Sequence, residues 1–194
     1  SAHVFITNGL KYKAGQGEIA ILEAGFGSGL NAFMTWLEAE KTGLQVKYLG
    51  LEAFPLSLEA ASGLNFPAIL KVPERTADFL KLHDCAWDTP VELSPFFHFE
   101  KRRVSILDFQ AKEVFDLIYF DAFDPQVQPE LWTVEVMKSM FDSLRPLGVL
   151  VTYCSQGAFR RSLKQAGFKV DKLPGVQGKW EITRAIRPPV VSRV

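Results

Sequence analysis

The chain is 194 residues long, 47% hydrophobic and 23% charged, with 14 glycines and 11 prolines. That is enough for one core, too little for two full domains, and unlike a disordered or low-complexity composition. Twenty-two basic and 22 acidic residues cancel, but residues 1–150 carry 13 basic against 20 acidic groups and residues 151–194 carry 9 against 2, so the C-terminal quarter is the part suited to face a polyanion.

Residues 18–23 (EIAILE) read as an apolar strand ending in an acid, followed by the turn Ala24-Gly25-Phe26-Gly27-Ser28-Gly29 and helical spacing over 30–41. Residues 46–51 repeat the strand signature and end at Glu52; a second helix is expected over 55–64, with Pro55 in its first turn. The stretch 65–95 holds four prolines and a helix near 75–85, and reads as an irregular insertion. Strands are expected at 96–100 and 103–107, the second ending in Asp108. The run 115–120 (FDLIYF) is apolar enough to be covered on both faces and ends in Asp121. Helix 130–144, strand 149–154, helix 157–166 and strands 168–173 and 180–186 complete the pattern. Alternating strands and helices imply an α/β fold with a mostly parallel sheet, helices on both faces and ligands at the carboxyl ends of the strands.

No apolar run reaches the roughly 18 residues needed to cross a bilayer, and residues 1–10 lack the basic and apolar regions of a signal peptide, which reads as a cytoplasmic protein. Cys85 and Cys154 stand alone, so neither a disulfide framework nor a zinc site is expected; His3, His83 and His98 are scattered and receive no ligand role.

Glu23-x-Gly25-x-Gly27-x-Gly29 places small residues where the backbone must approach a cofactor closely and meet a helix N-terminus. A dinucleotide fingerprint would need glycine at position 30, where Leu30 stands, which weakens a nicotinamide reading. A carboxylate at Glu52 can accept from both hydroxyls of a ribose, and one at Asp108 from an adenine amino group.

With these motifs in place the chain resembles class I S-adenosylmethionine-dependent methyltransferases. More narrowly, it resembles the methyltransferase domain of the MnmC family of tRNA-modifying enzymes. That resemblance rests on His3-Val4-Phe5-Ile6 with Gly9-Leu10, Gly25-Phe26-Gly27-Ser28-Gly29-Leu30-Asn31, Glu52-Ala53-Phe54-Pro55-Leu56, Asp121-Ala122-Phe123-Asp124-Pro125 with Pro129-Glu130-Leu131-Trp132, and Gly157-Ala158-Phe159-Arg160-Arg161. It implies a Rossmann-like, mostly parallel seven-stranded sheet with an antiparallel C-terminal strand, and one methyltransferase domain over residues 1–194. It also implies S-adenosyl-L-methionine as cofactor and methylation of the amine of 5-aminomethyl-2-thiouridine at the wobble position of tRNA. Carried over residue by residue, Glu23, Gly25, Phe26, Gly27 and Gly29 would bind the cofactor's methionine part, Glu52 its ribose and Asp108 its adenine side. Asp121 would face the substrate amine.

A sulfonium is an activated methyl donor, so the site must align a neutral amine and exclude water, with no metal required. An alkylamine titrates near ~10.4, and the Asp121 carboxylate could orient it or take its proton. Phe123, Tyr153 and Trp132 are candidate walls for an extruded base. Arg160, Arg161, Lys164 and Lys179 in the basic quarter are candidate contacts to the phosphates of an anticodon stem-loop. A small-molecule methyltransferase and a nicotinamide-dependent oxidoreductase remain as competing readings.

Overall fold

The computed structural model describes residues 1–13, 15, 17–176 and 181–189. A π-type helix (Ala2–Leu10) runs into α1 (Lys11–Lys13) and then β1 (Glu18–Ala24), α2 (Leu30–Thr42) and β2 (Gln45–Leu51). Short helices α3 (Leu58–Ser62) and α4 (Phe66–Ile69) lead to α5 (Thr76–Asp84), β3 (Val91–Ser94) and β4 (Phe97–Arg102). The chain continues with β5 (Phe115–Phe120), α6 (Val134–Ser143), β6 (Leu144–Thr152), α7 (Gly157–Gln165), β7 (Lys169–Pro174) and β8 (Glu181–Ile186).

The strands form one sheet in the order β3-β4-β2-β1-β5-β6-β8-β7. The five central strands are parallel; β3 on one edge, and β8 and β7 toward the other, pair antiparallel with their neighbours. This Rossmann-like arrangement has eight strands where seven were expected. Residues 91–94 of the irregular insertion supply a strand, and residues 103–107 supply none: the chain leaves the sheet after Arg102 and turns over Ile106, Leu107 and Asp108. Ile106 and Phe109 are buried from that turn into the core, so the apolar spacing there anchors a loop.

Alternate residues of the central strands divide the core with the period of two that a strand imposes. Ile19, Ile21, Leu117 and Tyr119 pack toward the N-terminal helix, α2 and α5; Ala20, Leu22, Ile118 and Phe120 pack toward α6 and α7. Side-chain caps set two helix starts. Ser57 Oγ accepts from Ala60 N at 3.1 Å, so α3 begins at Leu58, later than the expected Pro55. Thr133 caps α6, and the residues before it, Pro129–Trp132, form a separate 3₁₀ turn. Among the described residues, no helix is long and apolar enough to cross a membrane.

Candidate active site

A cavity of about 580 Å³ opens at the carboxyl ends of β1, β2, β4, β5 and β6, within the range of small-molecule sites. Gly25, Phe26, Gly27 and Ser28 line it after β1, Glu52 and Phe54 after β2, Ser105 and Leu107 after β4, Asp121 through Asp124 after β5, and Tyr153 after β6.

The glycines of the turn serve separate ends. Gly25 has φ +96°, and a Cβ there would meet the Asp121 carbonyl oxygen at 2.8 Å, so this position brings the ends of β1 and β5 together. Gly27 has φ +51° with no protein atom within 4 Å of an added Cβ; it opens onto the cavity. Gly29 faces the other way, against His83 and Phe26, and lies outside the lining. The Phe26 ring is buried against Gly50, Phe99 and His83. Glu52 accepts from Gly27 N at 2.8 Å and from Phe54 N at 2.9 Å, which holds its carboxylate at the cavity wall with lone pairs to spare.

Asp121 begins the loop after β5. Its backbone amide donates to Ala24 O at 3.0 Å, and its Oδ2 accepts from Asn31 Nδ2 at 2.7 Å. Burial raises the Asp121 carboxyl above its ordinary range, against a lowering contribution from the Asn31 bond. The following carbonyls are pinned by aromatic side chains: Tyr153 OH donates to Ala122 O at 2.8 Å and Trp132 Nε1 to Phe123 O at 2.9 Å. Burial, then Asp121 and Asp124, push the Tyr153 hydroxyl up to about 12, so it stays a donor at neutral pH. Phe123 is 66% exposed at the cavity mouth. Trp132, expected as a wall for a base, is buried edge-on against Phe120 and Phe159 as core.

Several expected site residues lie elsewhere. Glu23 is wholly buried beneath the cavity and touches it only through Asn31, whose Nδ2 donates to Glu23 Oε1 at 2.9 Å. Asp108 ends no strand: it is exposed at the turn after β4, its amide donating to Ser105 O, and Ser105, Ile106 and Leu107 line the cavity in its place. Arg160 is buried, donating to Thr183 Oγ1 at 3.0 Å and Glu181 Oε2 at 2.7 Å. It is therefore a core tie between α7 and β8 and not a phosphate contact. Arg161 and Lys164 are exposed on α7, and Lys179 lies outside the described residues.

Two residues of the site were not assigned roles from sequence. Asn31 stands at the start of α2, and a polar residue there, with Thr35 one turn on, interrupts an otherwise apolar buried face, which was the available signal. His83 of α5 donates from Nε2 to Ser28 O at 3.2 Å and packs on Phe26, bracing the glycine turn from the neighbouring layer; burial lowers its pKa. No local pattern marks it, because its partner is 55 residues away in the chain.

A family model described as S-adenosyl-L-methionine-dependent methyltransferase matches residues 87–188, and the chain belongs to that family. Among curated relatives, the tRNA 5-methylaminomethyl-2-thiouridine biosynthesis bifunctional protein MnmC of Cupriavidus necator is 32% identical, with 100% of this chain and 31% of the relative covered. The protein of the same description from Pseudomonas savastanoi pv. phaseolicola is 30% identical over 94% of this chain and 29% of its own length. The chain thus spans about a third or less of the length of these relatives. Among solved structures, MNMC2 from Aquifex aeolicus superposes with a TM-score of 0.64 at 23% identity, covering 94% of this chain and 59% of that one. The N-methyltransferase NodS from Bradyrhizobium japonicum WM9 gives 0.53 at 16%, covering 95% and 94%; both likenesses show the fold.

S-adenosyl-L-methionine is accordingly the methyl donor, and the residues present suit it. The open space over Gly27 is a cradle that any side chain would enter, and the Glu52 carboxylate stands beside it.

Proposed function

We propose that this chain transfers a methyl group to the amine of 5-aminomethyl-(2-thio)uridine at the wobble position of a cytoplasmic tRNA. The observation that carries the reading is the charge of the cavity wall. Glu52, Asp121, Asp124 and Glu130 line it, and among the described residues no lysine, arginine or histidine side chain does. Such a wall attracts an alkylammonium and repels RNA phosphate, so a nucleoside bearing an amine enters while its backbone stays outside. The names of the curated relatives support the same nucleoside.

S-adenosyl-L-methionine supplies the activated methyl group, and Gly25, Gly27 and Glu52 are the residues that would hold it. Asp121 accepts a hydrogen bond or a proton from the aminomethyl nitrogen, which at neutral pH is mostly protonated and non-nucleophilic. Its raised pKa makes it a better acceptor than an exposed aspartate. Phe123 and Tyr153 at the mouth offer faces to an extruded base. Exposed Arg161 and Lys164 contact the phosphates of the anticodon stem-loop.

The test is RNA-dependent methyl incorporation with tRNA carrying aminomethyluridine. Wild type methylates it, and Asp121→Ala, folded and still binding S-adenosylhomocysteine, loses roughly 10² to 10⁴ in kcat. Asp121→Asn separates orientation from proton acceptance, since the amide oxygen accepts a hydrogen bond but not a proton. Methyl transfer to small amines with none to this tRNA overturns the reading in favour of a small-molecule enzyme.

A further inference from the structure

Asn31 is 3% exposed, at the start of α2, directly after the glycine turn. Its single amide nitrogen donates to two carboxylates, Glu23 Oε1 at 2.9 Å and Asp121 Oδ2 at 2.7 Å. An ionised Asp121 carboxylate only accepts, so its contact fixes which way the amide points: the reverse orientation would set the amide oxygen against Asp121 Oδ2. Among the described residues, Asn31 Oδ1 is buried without a partner, and the Glu23 carboxyl also meets the Tyr48 hydroxyl. Asp121 is thereby gripped at two places, its backbone by Ala24 of β1 and one carboxylate oxygen by α2.

We propose that Asn31 is a positioning residue: its amide bridges Glu23 and Asp121, holds Asp121 Oδ2, and leaves Oδ1 turned to the substrate amine. The proposal rests on the reading of Asp121 as the acceptor for that amine. Among the described residues, Asp121 Oδ1 accepts no hydrogen bond from the protein, as an oxygen reserved for a ligand should. Rotation of the carboxylate about its χ2 would carry Oδ1 away from the cavity, and the Asn31 bond opposes that rotation. Glu23 completes the bridge from below: it takes the second amide hydrogen and prevents the amide from swinging out of the plane that Asp121 needs. The bridge therefore gives a purpose to a fully buried acid that has no contact with the cavity.

The groups facing this bridge define its electrostatics. Glu23 comes from β1, Tyr48 from β2 and Glu52 from just after it, Tyr119 from β5, Tyr153 from just after β6, and Asp124 from Asp121's own loop. Burial raises both Glu23 and Asp121, and the Asn31 hydrogen bonds lower both. Removing the amide therefore moves the Asp121 carboxyl upward, and any rate that needs its ionised form loses activity at higher pH than before.

The experiment pairs a titration with kinetics. The Asp121 carboxyl carbon is followed by ¹³C NMR across pH in wild type, Asn31→Ala and Asn31→Ser, each checked for folding by circular dichroism and for S-adenosylhomocysteine affinity. In Asn31→Ala the carboxyl titrates at higher pH, the acid limb of kcat moves with it, and kcat falls on the order of 10²-fold at neutral pH, as for a misplaced reacting group. KM for tRNA and cofactor affinity stay within about threefold, because both amide hydrogens are committed to Glu23 and Asp121. Asn31→Ser, whose hydroxyl can donate to one carboxylate, recovers part of the loss and serves in place of the alanine variant should that fail to fold. An unmoved titration and acid limb in either folded variant overturns the proposal and reduces Asn31 to helix packing. If wild type binds S-adenosylhomocysteine but never methylates the tRNA, while the carboxyl still shifts on substitution, the bridge stands and the nucleoside assignment falls.

Discussion

Two of the buried polar clusters packed against this sheet differ in completeness. Around Arg160 every strong donor is answered: Nε meets Thr183 Oγ1, Nη1 meets Glu181 Oε2, and the Thr183 hydroxyl passes its own hydrogen to Cys154 O at 2.6 Å. Around Asn31, by contrast, the Glu23 carboxyl has only the Tyr48 hydroxyl beside it for its second oxygen, and among the described residues Asn31 Oδ1 is buried with no partner. A buried polar group without a partner costs free energy, so a fully paired cluster is a structural joint. An incompletely paired one beside a cavity is held in that condition by the surrounding fold, and is the place to look for chemistry.

That contrast can be broken at several points. The largest effect belongs to the cavity itself: Gly27→Val places a branched side chain in the open cradle and in a backbone conformation it resists. Binding of S-adenosylhomocysteine by calorimetry should be abolished, and wild-type affinity in that variant would put the cofactor elsewhere. Next comes the paired cluster. Arg160→Ala removes a charged, buried donor set and should cost about 2 kcal/mol, seen as a melting temperature lower by roughly 4–8 °C. Cofactor affinity should not change, and neither should the salt dependence of tRNA binding. Arg161→Gln, on the exposed side of the same helix, should do the reverse: stability held, and the log-log salt slope reduced by about one unit for one lost phosphate contact. A changed slope with Arg160→Ala would return that residue to the RNA surface.

The smallest effect sharpens the other cluster. Glu23 is raised well above its ordinary value chiefly by burial, so the folded state holds its proton over a pH range in which the unfolded state has released it. The native state then binds more protons than the unfolded one, and stability falls as pH rises from the unfolded carboxyl value near ~4.3 through the raised value. Urea midpoints compared at roughly pH 5 and pH 8 should show that fall in wild type and a shallower one in Glu23→Gln. The slope should not vanish, because Asp121 is raised too. An identical slope in the variant would mean that Glu23 does not titrate in this range.

The sequence made the middle of the sheet legible because its signals are local. An apolar strand, a glycine turn and an acid at the next strand end lie within about thirty positions, and the parallel register of β1 with β2 and β5 brings Gly25, Glu52 and Asp121 to one cavity. What was misread depended on distant partners. Residues 103–107 alternate like a strand, yet Ile106 and Phe109 dive into the helix-side core and leave Asp108 outside. Arg160 sits next to Arg161 and shares its charge, and only the strand β8 packing behind α7 separates their fates. Asn31 was visible as one polar residue on an apolar face, but the two acids that give it meaning are 8 and 90 positions away.

His83 extends this logic to the stretch that read as an irregular insertion. Its ring supports Ser28 from α5, its own carbonyl accepts from the buried Lys101 ammonium of β4, and that ammonium lies 4.6 Å from the centre of the Trp87 ring. The loop that cradles the cofactor is thus spliced mechanically to β4, one strand in from the sheet edge, and to a helix some fifty residues downstream. Segments 24–30 and 76–101 form one tolerance unit: a replacement loop grafted from another methyltransferase would arrive without its buttress, and an exchange of glycine turns between such enzymes has to carry the matching helix along with it.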